Sequence, residues 1–209
     1  MTDAAIAEHA ADLALAGHHH HDTEVRESRE LGFWFYLMSD AVIFSLLFAT
    51  YASMNGNTAG GPGAKDVFDL GHTLGETALL LTSSLTCGIA TWEASRKRTH
   101  VAIVWLLVTL LLGLGFVAME ATEFLHMMQI GAGPDRSGFL SSFFTLVGTH
   151  GLHVSIGMLW LLVMIAQLLI KGPNEWVMSR LQRWGAFWHF LDIIWVGIFS
   201  FVYLPGLLQ

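Results

Sequence analysis

Apolar residues run almost without interruption through five stretches of this chain, 31–54, 70–94, 101–125, 139–170 and 184–204, and polar residues collect between them. Each stretch meets or exceeds the roughly 20 residues needed to cross the hydrocarbon core of a bilayer. A chain in lipid must satisfy its backbone N–H and C=O groups internally, which predicts an α-helix for every stretch. The connections carry helix-breaking residues: 55–63 is rich in glycine and holds Pro62, 131–138 holds Pro134, and Lys171, Gly172, Pro173 and Asn174 stop the fourth stretch. The predicted fold is all-α, an integral membrane bundle of five transmembrane helices, preceded by a polar tail at 1–30.

Polar side chains interrupt the apolar stretches in a regular way. His150 and His153 lie in the fourth, within GTHGLHVSIG at 148–157, and their spacing of three puts both on one helix face. Glu120 and Glu123 repeat that spacing in the third stretch, and His189 and Asp192 in the fifth. Glu76 lies in the second and Asp40 in the first. Polar groups exposed to lipid are costly, so these faces are predicted to turn inward and make the centre of the bundle.

Basic residues alternate across the predicted spans. Arg26, Arg29, Arg96, Lys97, Arg98, Lys171, Arg180 and Arg183 fall on one side, and only Lys65 and Arg136 on the other. The positive-inside rule then makes the N-terminus and the His-rich tail cytoplasmic and the C-terminus periplasmic. At ~1.5 Å of rise per residue, Asp40 lies roughly 14 Å below the cytoplasmic surface and His189 and Asp192 roughly 8 to 12 Å, with His150 and His153 near the midplane. The same count assigns Glu76, Glu120 and Glu123 to the outer half.

Composition agrees with a membrane protein. Hydrophobic residues make up 54% and charged residues 13%, where soluble domains carry about a quarter charged residues, and mean hydropathy is +0.54. Phe33, Trp34, Phe35, Trp105 and Trp184 stand near the ends of stretches, as expected for rings at the headgroup level. The single cysteine, Cys87, excludes an internal disulfide and a cysteine metal cluster. The net charge of −7 gives no basic surface for nucleic acid. The tail lacks the basic start and short apolar core of a secretory signal. Its histidines, His18, His19, His20 and His21, read as a flexible solvated segment or as a metal-binding tract.

Di-metal carboxylate bundles use Glu-x-x-His motifs on facing helices. Here Glu-x-x-Glu, His-x-x-His and His-x-x-Asp lie on separate helices, and no metal site is assigned. Two histidines three apart on one helix suit haem ligation poorly, so no cofactor-binding or catalytic residue is assigned either. The remaining readings for His150, His153, His189, Asp192, Glu120, Glu123 and Glu76 are a structural network of inter-helix hydrogen bonds and a proton relay. Asp40, whose face carries Tyr36, Phe44 and Leu47, is a candidate proton-exchange carboxylate or a packing residue.

Three segments, RELGFWFYLMSD in the first span, GPDRSGFLSSFFTLVGTHGLHVSIG around the fourth and FWHFLDIIW in the fifth, closely resemble subunit III of the haem–copper oxidases. The resemblance runs from about residue 31 to the end. Five spans, the His-rich tail and the GPDRSGF loop resemble the quinol-oxidising branch, the cytochrome o ubiquinol oxidases. This implies a non-catalytic subunit of a proton-pumping complex in a bacterial inner membrane, set among lipids and the other oxidase subunits. Haem, copper and the ubiquinol site are then held by partners, and this chain flanks subunit I and supports its assembly, stability and proton supply. The family's buried carboxylate, a glutamate in cytochrome c oxidases, falls on Asp40. A cytochrome c oxidase subunit III and a free-standing transporter remain as alternatives. Against the transporter, no inverted repeat appears and no proline interrupts the middle of a span.

Overall fold

A computed structural model describes the backbone of residues 3–60 and 69–208 and the side chains of 27–60 and 69–206. Among the described residues all regular structure is helical. The helices are α1 (Asp3–Met54), α2 (Leu70–Ser95), α3 (Thr99–Gln129), α4 (Gly138–Lys171) and α5 (Glu175–Ile198), followed by a π-helical turn (Phe199–Tyr203) and the short α6 (Leu204–Leu208). The chain falls into two compact units, Met1–Ala41 and Val42–Gln209.

Local chemistry sets the helix ends. Asp69 caps α2 by accepting from the Gly71 N–H, Ser137 caps α4 through the Leu140 N–H, and Asn174 caps α5 through the Val177 N–H. These side-chain oxygens satisfy amides that a first turn leaves without intrahelical partners. Gly172 ends α4 with φ +69°, a conformation glycine adopts without a Cβ penalty. Pro173 and Asn174 then start α5 nine residues before the predicted 184: the polar 175–183 continues the helix rather than forming a loop.

Two other expectations are revised. The segment expected to be a flexible tail is helical from Asp3 and belongs to α1, while the side chains of His18 to His21 lie outside the described residues, as do Pro62 and Lys65. The fifth helix does not run evenly to 204. The Leu204 N–H bonds to the Phe199 carbonyl, five residues back, and the chain widens into a π turn. Pro205 follows, with no N–H to offer the Phe201 carbonyl.

Among the described residues, four helices are long and apolar enough to cross a membrane: Glu27–Met54, Thr99–Gln129, Gly138–Lys171 and Glu175–Gly206. The 26 residues of α2 span about 39 Å, a sufficient length, but Glu76, Glu93 and a run of threonines and serines keep it below the same apolar standard.

In the unit from Val42 onward, α2 packs on α3, α3 on α4, α4 on α5 and α5 back on α2, closing a ring of four helices. The ring is filled largely by one face of α5. Trp184, Trp188 and Trp195 are fully buried, and each indole N–H finds an acceptor on a neighbouring helix: the Gly157 carbonyl at 2.9 Å, Ser83 Oγ at 3.0 Å and Thr77 Oγ1 at 3.1 Å. Such a ring combines a large apolar body with one satisfied donor, the form in which tryptophan is buried. Trp184 is therefore a core residue and not a headgroup ring. Space for Trp188 comes from Gly113 and Gly157, where an added Cβ would come within 3.1 Å of its ring.

Candidate functional site

The unit from Val42 onward holds three polar groupings, two inside the apolar ring and a third that reaches its outer face. The first lies where the start of α2, the end of α3 and the π turn meet. Glu76, Glu120 and Glu123 are all buried and interact electrostatically with one another, as their shared depth in the sequence predicts. The structure adds two residues that the sequence reading omits. His72 Nε2 lies 3.3 Å from Glu76 Oε1 and 3.2 Å from the Met119 carbonyl. The Tyr203 hydroxyl donates to Glu123 Oε2 at 3.0 Å. The spacing of His72 and Glu76, one helical turn apart, was available as a signal; the position of Tyr203 depends on the π turn and was not. Across the ring, both carboxylate oxygens of Glu120 press on α4 at Gly151 and have no hydrogen-bond partner.

The second grouping is an aromatic enclosure around His150. The imidazole is fully buried, stacks on Trp195 at 5.3 Å, and meets the edges of Phe116 at 5.8 Å and Phe44 at 6.4 Å. Neither ring nitrogen has a hydrogen-bond partner. The inter-helix hydrogen bonds expected of His150 are not formed, and the ring packs as an aromatic body. His153, on the same face, is half-buried, meets the Thr149 carbonyl of its own helix at 2.7 Å and lies 5.3 Å from Phe44. The depth count separates His150 from the glutamates, yet Glu120 sits against the residue next to it.

The third grouping joins α2 to α3 and α5. His189 Nδ1 lies 2.6 Å from Ser84 Oγ, and Thr86 meets Thr109 at 2.8 Å. Asp192 is buried, within electrostatic reach of Ser84 and Cys87, and neither of its oxygens reaches a well-formed hydrogen bond. His189 thus does bridge two helices, through a serine instead of a carboxylate, but it does so from the exposed outer face and not from the predicted centre of the bundle. At the α2–α3 turn Glu93, also absent from the sequence expectations, meets Arg98 at 3.6 Å.

In the unit Met1–Ala41, Asp40 is buried, and the hydroxyl of Tyr36, one turn earlier on α1, shares a side-chain hydrogen bond with it. Of the residues that the spacing put on the face of Asp40, Tyr36 brings its phenol to the carboxylate.

Comparison with known proteins places these features in a family context. The family described as cytochrome c oxidase subunit III matches residues 6–207. A cytochrome bo(3) ubiquinol oxidase subunit 3 from Pseudomonas aeruginosa is 49% identical over 209 residues, covering all of both chains. The protein of the same description from Pseudomonas putida is 48% identical over 178 residues, covering 85% of this chain and 86% of its own. A quinol oxidase subunit 3 from Bacillus subtilis is 44% identical over 177 residues, with 85% and 87% covered.

Proposed function

The chain belongs to the cytochrome c oxidase subunit III family, and from that premise we propose how it serves as the third subunit of a ubiquinol oxidase. The observation that carries the reading is the 49% identity to a ubiquinol oxidase subunit 3 along the entire length of both chains. The choice of ubiquinol as electron donor rests on such relatives.

In this reading five helices cross a bacterial inner membrane, with the N-terminus cytoplasmic and the C-terminus periplasmic. The length of α2 and the charge asymmetry of the connecting segments support it. Redox chemistry belongs to partner subunits, which hold the haem, copper and ubiquinol. This chain contributes a rigid four-helix ring beside subunit I, stabilises the assembly and supports proton supply to it. Its helices are joined by side-chain hydrogen bonds such as Tyr203 to Glu123, Trp188 to Ser83 and Ser84 to His189, and contacts of this kind contribute up to ~1–2 kcal/mol each in a bilayer. Asp40, with Tyr36 beside it, is the residue through which protons are exchanged with the neighbouring subunit.

Purification in mild detergent through an affinity tag on this chain tests the assignment. The expected preparation contains the other oxidase subunits, a haem spectrum and ubiquinol oxidase activity. Recovery of this chain alone, or with an unrelated transporter, overturns it. A strain lacking the chain is expected to assemble a complex that keeps its haem and copper and inactivates sooner during turnover.

A further inference from the structure

We propose that His72, Glu76 and Glu123 form a binding site for a first-row divalent cation of the zinc type, entered from the exposed N-terminus of α2. One ligand atom from each of the three residues can be chosen so that all lie within 4.8 Å of one another. One imidazole with carboxylate oxygens is a zinc-type donor set, whereas magnesium and calcium favour oxygen alone. Zinc bonds of about 2.0–2.2 Å require the donors to close by roughly an ångström, a movement available to carboxylates on a flexible side chain.

Three further features support a cation here. Glu120 interacts electrostatically with both glutamates of the site, is 4% exposed and has neither oxygen hydrogen-bonded. A buried carboxylate without a partner is costly, and a bound cation supplies the missing counter-charge. Tyr203 holds one oxygen of Glu123 and leaves Oε1 available, the kind of outer hydrogen bond that orients a metal ligand. An approach also exists: Asp69 is exposed at the helix start and interacts electrostatically with Glu123, and His72 is half-buried between it and Glu76. Binding through His72 Nε2 requires that nitrogen to carry no proton, so the imidazole must take the Nδ1–H tautomer and give up its contact with the Met119 carbonyl.

The test uses the purified oxidase complex with the full-length chain, in which His18, His19, His20 and His21 are replaced by alanine to silence the tail. After chelation the complex is dialysed against micromolar zinc chloride and its zinc counted. The expected result is one more zinc per complex with the site intact than in Glu76→Gln, His72→Gln or Glu123→Gln, and affinity weaker by roughly tenfold or more in Tyr203→Phe, which removes the outer hydrogen bond. Cobalt should compete and magnesium should not. Only variants that keep this chain in the purified complex at the normal stoichiometry are compared, and X-ray absorption at the zinc edge of the unmutated site provides a reading that needs no variant. One imidazole nitrogen with oxygen neighbours is expected there. Equal zinc in all variants, no zinc uptake, or a shell containing sulfur or several imidazoles overturns the proposal.

Discussion

The carboxylate of Glu120 occupies the space that a side chain at Gly151 would need: a Cβ at that position would stand 2.5 Å from Oε1 and 2.6 Å from Oε2. Two helices are thus keyed to each other by an acid on α3 and the absence of a side chain on α4. Gly151→Ala should shorten the half-life of the heated complex, and the same change in a Glu120→Ala background should cost much less. The coupling between the two sites is expected to be ~1–3 kcal/mol, read from inactivation rates of the four combinations. Simple additivity would mean that Glu120 moves aside freely.

Tyr203→Phe removes only the hydroxyl that donates to Glu123 at 3.0 Å. Loss of that donor leaves a buried carboxylate oxygen without a partner, which costs about 1–3 kcal/mol. Accelerated thermal inactivation is expected, well beyond that of Phe201→Leu on the exposed side of the same turn.

Replacement of His150 by leucine should be tolerated in assembly and thermal stability, because no hydrogen bond is lost and the neighbours are aromatic rings. Complex yield and inactivation half-life check this. A collapse in yield would show that the imidazole nitrogens are engaged within the assembled complex.

Orientation can be read from cysteines introduced at exposed positions, against a background in which Cys87 is buried. A membrane-impermeant maleimide should label Asp135→Cys in intact cells and fail to label Ser95→Cys or Glu175→Cys until the membrane is opened. The reverse pattern would invert the topology.

Asp40→Asn keeps the shape of the side chain and removes its acid group. The oxidase should assemble normally and oxidise ubiquinol more slowly, with the deficit growing as pH rises and protons become scarce. Tyr36→Phe, which removes the adjacent hydroxyl, should produce a smaller deficit of the same form. Unchanged turnover across pH would leave Asp40 a packing role.

Helical content was legible in the sequence because lipid leaves the backbone few options, and the glutamate grouping because helix rise is constant. The start of α5 carried a local signal that its polar composition masked: Asn174 precedes Glu175 as a cap and accepts from the Val177 N–H. Other features depended on tertiary context. The environment of His150 was misjudged because depth does not specify which side chains from three other helices fill the space around a ring. His72 and Tyr203 were missed for different reasons. Position 72 lay near a predicted helix start, where a histidine reads as a surface residue, and position 203 lay beyond a change in helical pitch.

That change in pitch acts as a phase shift. A five-residue bond inserts one extra residue into the winding, so every side chain after Phe199 is rotated by about 100° from where a uniform helix would put it. Uniform winding of the same residues would carry the phenol away from Glu123, whereas deleting a single residue from the turn, such as Ser200, would remove the bulge and return the residues after it to nearly the same facing. The winding at this one turn is therefore as much a part of the contact as the identity of Tyr203, and a relative one residue shorter here can present a phenol to the buried glutamate from an uninterrupted α-helix.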